Sequence, residues 1–350
     1  MDSEVQQSAP VTPRRPAVMS DVGRLAGVSH QTVSRVINGS RHVRPSTRDR
    51  VLAAMRELDY RPNSYARALV TGRSRTLGVV SFDTTLYGPA STLFGIERAA
   101  HEAGYFIIIA SLKALDRASV VDAVGRLQLQ GVDGILVIVS EEESAEALLH
   151  ASADVPLVAV EAGPERGVAV VAVDQLAGAT MATQHLIALG HETVWHLTGP
   201  AASLESQRRV LGWRTALTAA GASPPPPLIG DWSARSGYRL GRQLSRDPAV
   251  SAVFVANDQM ALGVLRAMHE SGRSIPGEVS VVGFDDIPEA PYFTPPLTTV
   301  RQDFGEVGSR SLRVLVAAVE AFKTSAPVAA GSLIEPELIV RASTAPAPQR

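Results

Sequence analysis

Cysteine is absent from all 350 residues. Disulfides, thiolate metal sites and cysteine nucleophiles are therefore excluded, and a reducing compartment suits the chain. Long apolar runs are missing as well. Stretches such as Val79-Val80 and Tyr105 to Ala110 fall far short of the roughly 18 residues a membrane helix needs. The polar start, Met1 to Pro16, has Arg14 and Arg15 but no apolar segment behind them, so no secretory signal is expected and a cytoplasmic location is. Lysine occurs only at Lys113 and Lys323, neither in a phosphate-loop pattern. There is no G-x-S-x-G elbow and no H-E-x-x-H, and His191-Glu192 with His196 has the wrong spacing for a metal. Aspartates at strand ends could serve a glycosidase, but nothing marks an acid and base pair. The expectation is a protein without enzymatic activity, catalytic residues, metal or cofactor.

What is present is a divided chain. Its length suggests about two or three domains. With 45% hydrophobic and 19% charged residues, it can bury a large core. The net charge of −2 hides an asymmetry. Between Arg14 and Arg75 there are 13 arginines and no lysine, against Asp21, Asp49, Glu57 and Asp59. That stretch carries +9, and the chain after it −9. A basic first fifth on an acidic body points to a nucleic-acid module joined to something else.

Within the basic stretch, Val22, Leu25 and Ala26 recur at the spacing of one helix face, which Ser20 or Asp21 can cap. Gly27 follows as the entry to a tight turn. Ser29 can cap a second helix running to about Asn38, with Val33, Val36 and Ile37 inward. His30, Gln31, Ser34 and Arg35 are left on its other side. Two short helices about a glycine-containing turn make a helix-turn-helix, whose second helix would enter the major groove. Gln31 can bond adenine, and Arg35 guanine, through two atoms each. Pro45 suits the first position of a third helix, with Val51, Leu52, Met55 and Leu58 as its apolar face.

The run V-S-x-Q-T-V-S-R-V-I-N, followed by R-x-R-V-x-x-A-M-x-x-L-x-Y-x-P-N, resembles the headpiece of the LacI/GalR family of transcriptional regulators. The resemblance implies operator-DNA contacts by Ser29, His30, Gln31, Thr32, Ser34, Arg35, Asn38 and His42, and a nucleoid-associated protein. It also implies a hinge helix, roughly Ser64 to Leu69, that orders in the minor groove. Asn63 could cap that helix, Ala66 is small enough for close packing against a partner helix, and Leu69 is an apolar wedge of the kind that kinks DNA.

From Thr76 onward apolar runs alternate with amphipathic stretches. Strands are predicted at Leu77 to Phe82, Tyr105 to Ala110, Gly134 to Val139, Leu157 to Val160, Val168 to Val173, Thr193 to Leu197, Ala252 to Val255 and Ser280 to Phe284. Helical patterns include Leu93 to Ala103, Gln175 to Leu189, Arg208 to Ala220 and Met260 to Ser271. Such alternation predicts parallel sheets with helices on both faces. The resemblance continues here. The whole is expected to be an all-α helix-turn-helix headpiece plus an α/β two-lobed periplasmic-binding-protein-like domain with two doubly wound parallel sheets. The expected boundaries are a disordered extension at 1–15, the headpiece at 16–62, hinge and linker at 63–75, the body at 76–341 and a flexible tail at 342–350. The lobes would divide at about 76–173 with 304–331, and 174–303 with 332–341, the chain crossing near Asp174, Asp303 and Gly331.

Ligands of open parallel sheets bind outside the carboxyl ends of strands. Glu161, Asn257-Asp258 and Asp285-Asp286 follow predicted strands, Arg209 lies near a helix start, and Trp232 sits in G-D-W-S. Carboxylates, Arg, Asn and a flat indole together suit a sugar ring. Asn257 and Asp258 also suit helix caps, Asp285 a loop cap, and Trp232 a core position. The motifs H-L-I-A-L-G-H, V-A-N-D-Q-M-A-L-G, S-V-V-G-F-D-D and P-P-L-T-T-V-R-Q-D-F resemble a sugar-responsive branch of the family. The resemblance implies sugar contacts at Glu161, Arg209, Trp232, Asn257, Asp285 and Phe304, with Leu86 and Pro89 at the mouth of the cleft. Glu161 and Ile138 stand where that branch carries an aspartate and an asparagine. A repressor of sugar-utilisation genes, released by a small sugar with a galactoside the first choice, is therefore expected; the alternatives are a corepressor-type regulator tightened on DNA by a purine or other small metabolite, and a sugar-binding or glycoside-processing protein. No leucine heptad follows R-A-S-T, so a homodimer is expected.

Overall fold

Val22, Ala26, Val33, Val36, Val51 and Ala54 share one small apolar centre, and three helices form around it. They are α1 (Met19–Ala26), α2 (His30–Ile37) and α3 (Pro45–Glu57). The computed structural model describes residues 15, 17–40, 42–61, 73–82, 84–112, 116–139, 141, 148, 154–161, 168–324 and 331–349. Most of the N-terminal extension and the hinge positions Asn63, Ala66 and Leu69 lie outside the described residues. Two units are distinguished, Met1–Ser74 and Arg75–Arg350.

In the first unit Gly27 takes φ 65°, the left-handed conformation that a residue with a Cβ adopts at a cost. The turn is closed by the Val28 amide donating to the Gly23 carbonyl at 2.9 Å. Three expectations need correcting. Leu25 and Leu52 are 46% and 42% exposed; the buried positions are Val22 and Ala26 in α1 and Val51 and Ala54 in α3. Val18, not Ser20 or Asp21, is the N-cap of α1, and Asp21 reaches back to the Val18 amide at 3.1 Å.

The second unit holds two six-stranded sheets. The first contains β1 (Thr76–Phe82), β2 (Phe106–Leu112), β3 (Gly134–Ile138), β4 (Leu157–Val160), β5 (Ala169–Val173) and β11 (Ser332–Ile334). Its order is β11-β5-β4-β3-β1-β2, every pair parallel. The second contains β6 (Trp195–Thr198), β7 (Leu228–Ile229), β8 (Ala252–Val255), β9 (Ser280–Asp285), β10 (Thr298–Arg301) and β12 (Glu337–Ile339), ordered β12-β10-β9-β8-β6-β7. Here β12 departs from the parallel expectation by pairing antiparallel with β10. Among the described residues seven helices of regular length flank the sheets: α4 (Tyr87–Glu102), α5 (Arg117–Leu129), α6 (Gln175–Ala188), α7 (Leu204–Ala219), α8 (Ala234–Leu244), α9 (Asp258–Glu270) and α10 (Phe304–Thr324).

Strand side chains alternate between faces, and both faces are covered. Ile135 and Val137 of β3 enter one core with α5, while Leu136 and Ile138 enter another with α4 and α10. Ala252 and Phe254 of β8 likewise oppose Val253 and Val255. This explains the near-continuous apolar runs that mark these strands.

The chain passes between lobes after β5, after β10 and between β11 and β12. The third passage is at Glu335-Pro336 rather than Gly331, and 332–334 belong to the first lobe, because β11 pairs with β5. The tail is not loose either. Ser343 is fully buried, its Oγ donates to the Val281 carbonyl at 2.6 Å, and the Ala347 amide donates to the Leu189 carbonyl at 2.8 Å.

Helices α8 and α9 meet through Gly237 and Gly263. A Cβ at Gly263 would strike the Ala234 carbonyl and the Tyr238 amide, both backbone groups that cannot rotate away. Gly263→Ala is expected to destabilise the second unit by about 1–3 kcal/mol through overpacking. An unchanged urea midpoint would show that the helices part without cost.

Candidate functional site

The first unit presents one polar helix face. Ser29 caps α2, its Oγ accepting from the Thr32 amide at 3.3 Å and lying 3.1 Å from Thr32 Oγ1. Asn38 Nδ2 donates to Ser34 Oγ at 3.3 Å. These four side chains stiffen the two ends of the helix. His30, Gln31 and Arg35 are exposed beside them, as is His42 in the following turn. Gln31 and Arg35 are one helical turn apart, so an amide and a guanidinium stand side by side. The α2 amino terminus adds its own partial positive charge.

The second unit contains a cavity of about 350 Å³ at the carboxyl ends of strands from both sheets. Leu86, Pro89, Glu161, Arg209, Trp232, Asn257, Asp285 and Phe304 all line it. Ile138 lines it too, as an apolar wall at 6% exposure. Asp258 does not. It is fully buried, accepting from Thr299 Oγ1 at 2.6 Å and from the Ile287 amide at 2.9 Å, so it ties α9 to its sheet. Asp286 pairs with Arg301 at 2.7 Å and Arg341 at 2.6 Å. Asn257 does both jobs: its Oδ1 caps α9, accepting from Met260 at 2.9 Å, and it lines the cavity.

Arg209, 4% exposed, is the hub. Its guanidinium lies 3.8 Å over the Phe284 ring and 5.5 Å from Trp232. Nε donates to Gln175 Oε1 at 2.9 Å, Nη1 donates to the Ala256 carbonyl, and Nη2 is 3.9 Å from Asp285 Oδ1. Gln175 Nε2 donates to Gln302 Oε1 at 2.7 Å, and Gln302 Nε2 donates to Asp285 Oδ1 at 2.7 Å. Four side chains thus close a ring.

Carboxylates crowd this one cation. Burial pushes Glu161 up to about 8, and the charge of Glu205 pushes the same way, against the Val173 amide, Arg209 and Gln175. Asp285 is raised to about 6 by burial, although Arg209 and Gln302 oppose the rise. Glu205 is raised, again chiefly by burial, while the Ser203 hydroxyl donates to it at 2.7 Å. Glu161 Oε1 is shut off from solvent with no hydrogen-bond partner among the described residues.

Backbone strain gathers at the same place. Glu161, Trp232 and Asp285 have φ of 62°, 70° and 109°, left-handed values that cost roughly 1–3 kcal/mol each in a non-glycine residue. The Glu161 amide donates to Val171 at 2.9 Å, and Asn257 Nδ2 donates to the Trp232 carbonyl at 3.1 Å, which holds two of the three turns.

Comparison with known proteins agrees with this architecture. Residues 18–63 match the family model of bacterial regulatory proteins of the lacI family, and residues 183–344 match a periplasmic binding protein-like domain. The lactose operon repressor of Escherichia coli K12 is 35% identical over 300 residues, 85% of this chain and 83% of that protein. The chain belongs to the LacI family of bacterial regulatory proteins. Another member, the ribose operon repressor of Escherichia coli K12, is 34% identical over 305 residues, covering 86% of this chain and 92% of that protein. A crystal structure of the lac repressor dimer bound to operator and the anti-inducer ONPF superposes with a TM-score of 0.85 at 32% identity. It covers 95% of this chain and all of that one. These LacI-family relatives are named as repressors rather than enzymes. Among the described residues no helix is long and apolar enough to cross a membrane.

Sequence reading missed Gln175, Gln302 and Glu205. Gln302 lies within P-P-L-T-T-V-R-Q-D-F, but its neighbours in the ring are 17 and 127 positions away. No local pattern carries that information.

The raised Glu161 has a measurable consequence. Its native carboxyl keeps a proton at pH values where the unfolded chain, near 4.5, has released it. The stability this contributes is complete below about pH 4.5 and is lost as pH rises to about 8. A glutamine stays neutral throughout. The Tm advantage of Glu161→Gln over the parent is therefore expected to widen from pH 5 to pH 8. A gap constant with pH would mean that Glu161 ionises normally.

Proposed function

We propose that the chain is a dimeric, sequence-specific transcriptional repressor whose hold on operator DNA is released by a small sugar bound between the lobes of its second unit. The observation that carries this reading is the cavity. All eight residues implied by the family resemblance line it; they come from strand ends of both sheets, from a crossing, and from the first turns of helices that follow strands, as Pro89 and Arg209 do. Asp285, Glu161, Arg209 and Asn257 offer acceptors and donors to ring hydroxyls, while Trp232 and Phe304 offer flat apolar surface. A sugar that touches both lobes favours the lobe angle at which both sets of contacts form. It shifts the equilibrium only by its differential affinity for the two arrangements.

On the DNA side, α2 serves as the recognition helix, with Gln31 and Arg35 at base edges and Ser29, His30, Thr32, Ser34, Asn38 and His42 around them. The exposed polar face of α2 and the arginine-rich composition of the first unit support this role. Two copies suit a near-palindromic operator. A galactoside is the first ligand to try.

Gel shifts with salt titration test both halves. Arg35→Ala is expected to cost roughly 1–3 kcal/mol on the operator and to relax specificity, with much smaller loss on nonspecific DNA. Equal loss on every sequence would reassign Arg35 to phosphate contact. Asp285→Ala is expected to abolish ligand release while operator binding persists. Loss of operator affinity in that variant would make Asp285 structural. A purine that tightens operator binding, with no sugar bound, would replace this reading by the corepressor one.

A further inference from the structure

We infer that the sugar this cavity takes carries a positively charged nitrogen, received between Glu161 and Glu205, so that the effector is an amino sugar or an amino-substituted glycoside. The inference rests on the sugar-effector reading above and narrows its ligand class.

The argument is one of charge and satisfaction. Glu141, Glu161, Glu205, Asp231 and Asp285 line the same cavity, and Arg209 is the one cation among its described lining residues. That guanidinium is already engaged with Gln175 and Ala256, and its nearest carboxylate is Asp285. Asp285 also accepts from Gln302. Glu205 has the Ser203 hydroxyl at 2.7 Å, a neutral donor. Glu161 accepts from the Val173 amide at 3.4 Å on Oε2, with the Gln175 amide side chain also acting on it, while its buried Oε1 has no partner among the described residues. Glu161 and Glu205 are thus left sharing a cation whose closest ionic partner is Asp285. A buried charge without a partner is costly, and like charges at one site disfavour ionisation. In the free protein the strain is relieved by keeping protons, which is how Glu161 rises to about 8.

Three kinds of occupant could relieve it instead. A metal ion is disfavoured, because among the described residues no three carboxylate or imidazole groups come together as a ligand set. The carboxylates are distributed around the cavity rather than focused on a point. An anionic sugar, such as a sugar phosphate, would add to the repulsion. An ammonium on a sugar ring supplies three donors and a full charge at the place where acceptors are in excess. The walls agree, since Tyr87, Trp232 and Phe304 offer π faces that attract a cation. A neutral sugar can donate its hydroxyls to these carboxylates but brings no counter-charge to them.

Isothermal calorimetry at pH 6.5, where sugar amines are protonated, tests this on the full chain. The probes are galactose and glucose, their 2-amino, 3-amino and 6-amino deoxy derivatives, and galactose 6-phosphate. At least one amino derivative is expected to bind tenfold or more tightly than its parent sugar, and the phosphate more weakly than either. The amino preference is expected to fall below about threefold in Glu205→Gln and in Glu161→Gln, two independent variants. Parent sugars that bind as tightly as every amino derivative would overturn the inference and leave the sugar reading standing. A preference unchanged in both variants would place the ammonium elsewhere and also overturn it. Silence from all probes, neutral and amino, would overturn the sugar reading itself.

Discussion

The buried guanidinium of Arg209 is the point on which the second unit turns. It sits over Phe284 in the core of one lobe, donates to the Ala256 backbone, and through Gln175 and Gln302 reaches Asp285. Gln175 is the first residue of α6, just past the first crossing between lobes, and Gln302 lies in the second. The third crossing joins them, because the Asp174 amide donates to the Ile334 carbonyl at 2.9 Å just before that passage. A hinge region of this kind is polar and directional. Its hydrogen bonds have strict geometry, so a change at Asp285 is felt at the crossings as a lost or redirected bond rather than as a soft shift in packing. Removing the cation would strand a buried carboxylate, which is far more disruptive than losing a surface pair.

The same region holds backbone strain and raised carboxyl groups. Neither stabilises the free protein. The left-handed turns at Glu161, Trp232 and Asp285 project their side chains from strand ends into the space between the lobes. The cores that flank both sheets, with Leu136, Phe254 and Phe284 fully buried, supply the stability that offsets this. A site assembled in this way gains most when a ligand provides the missing partners, because the cost of holding the groups apart has already been met by the fold.

Much of this was legible from residue patterns. Apolar alternation marked eight of the strands, since parallel strands covered on both faces read as short apolar runs. The two- and three-residue strands β7, β11 and β12 carried too little pattern to be seen, and β10 was hidden in the threonines of T-T-V-R. Helix faces were read less well where a helix is short. Leu25 and Leu52 have the right spacing, yet the headpiece core is centred on Val22, Ala26, Val51 and Ala54 beside α2, with Met55 and Leu58 packed against it. Strand-end carboxylates were found because topology dictates where ligands sit. Asp258 was not separable from Asn257 by that rule: one side chain turns into the cavity and the next turns into the core. The ring through Gln175 and Gln302 depends on contacts across more than a hundred residues, which no window along the chain contains.

Charge gives the two units complementary tasks. The arginines gathered before residue 75 and the net −9 after it mean that attraction to DNA arises in the head, while the body contributes repulsion. The body's acidity is not confined to its surface, because Glu141, Glu161, Glu205, Asp231 and Asp285 line a cavity with a single guanidinium among its described lining residues. A ligand that neutralises this excess removes repulsion between groups carried by different lobes. Glu161 follows β4 of the first sheet, whereas Glu205 and Asp285 belong to the second lobe. Where these carboxyls are ionised their repulsion opposes lobe approach, and a proton kept on Glu161 relieves it. Under the proposed sugar-effector reading, these charges would supply part of the differential affinity an effector needs to move the equilibrium, beside shape complementarity.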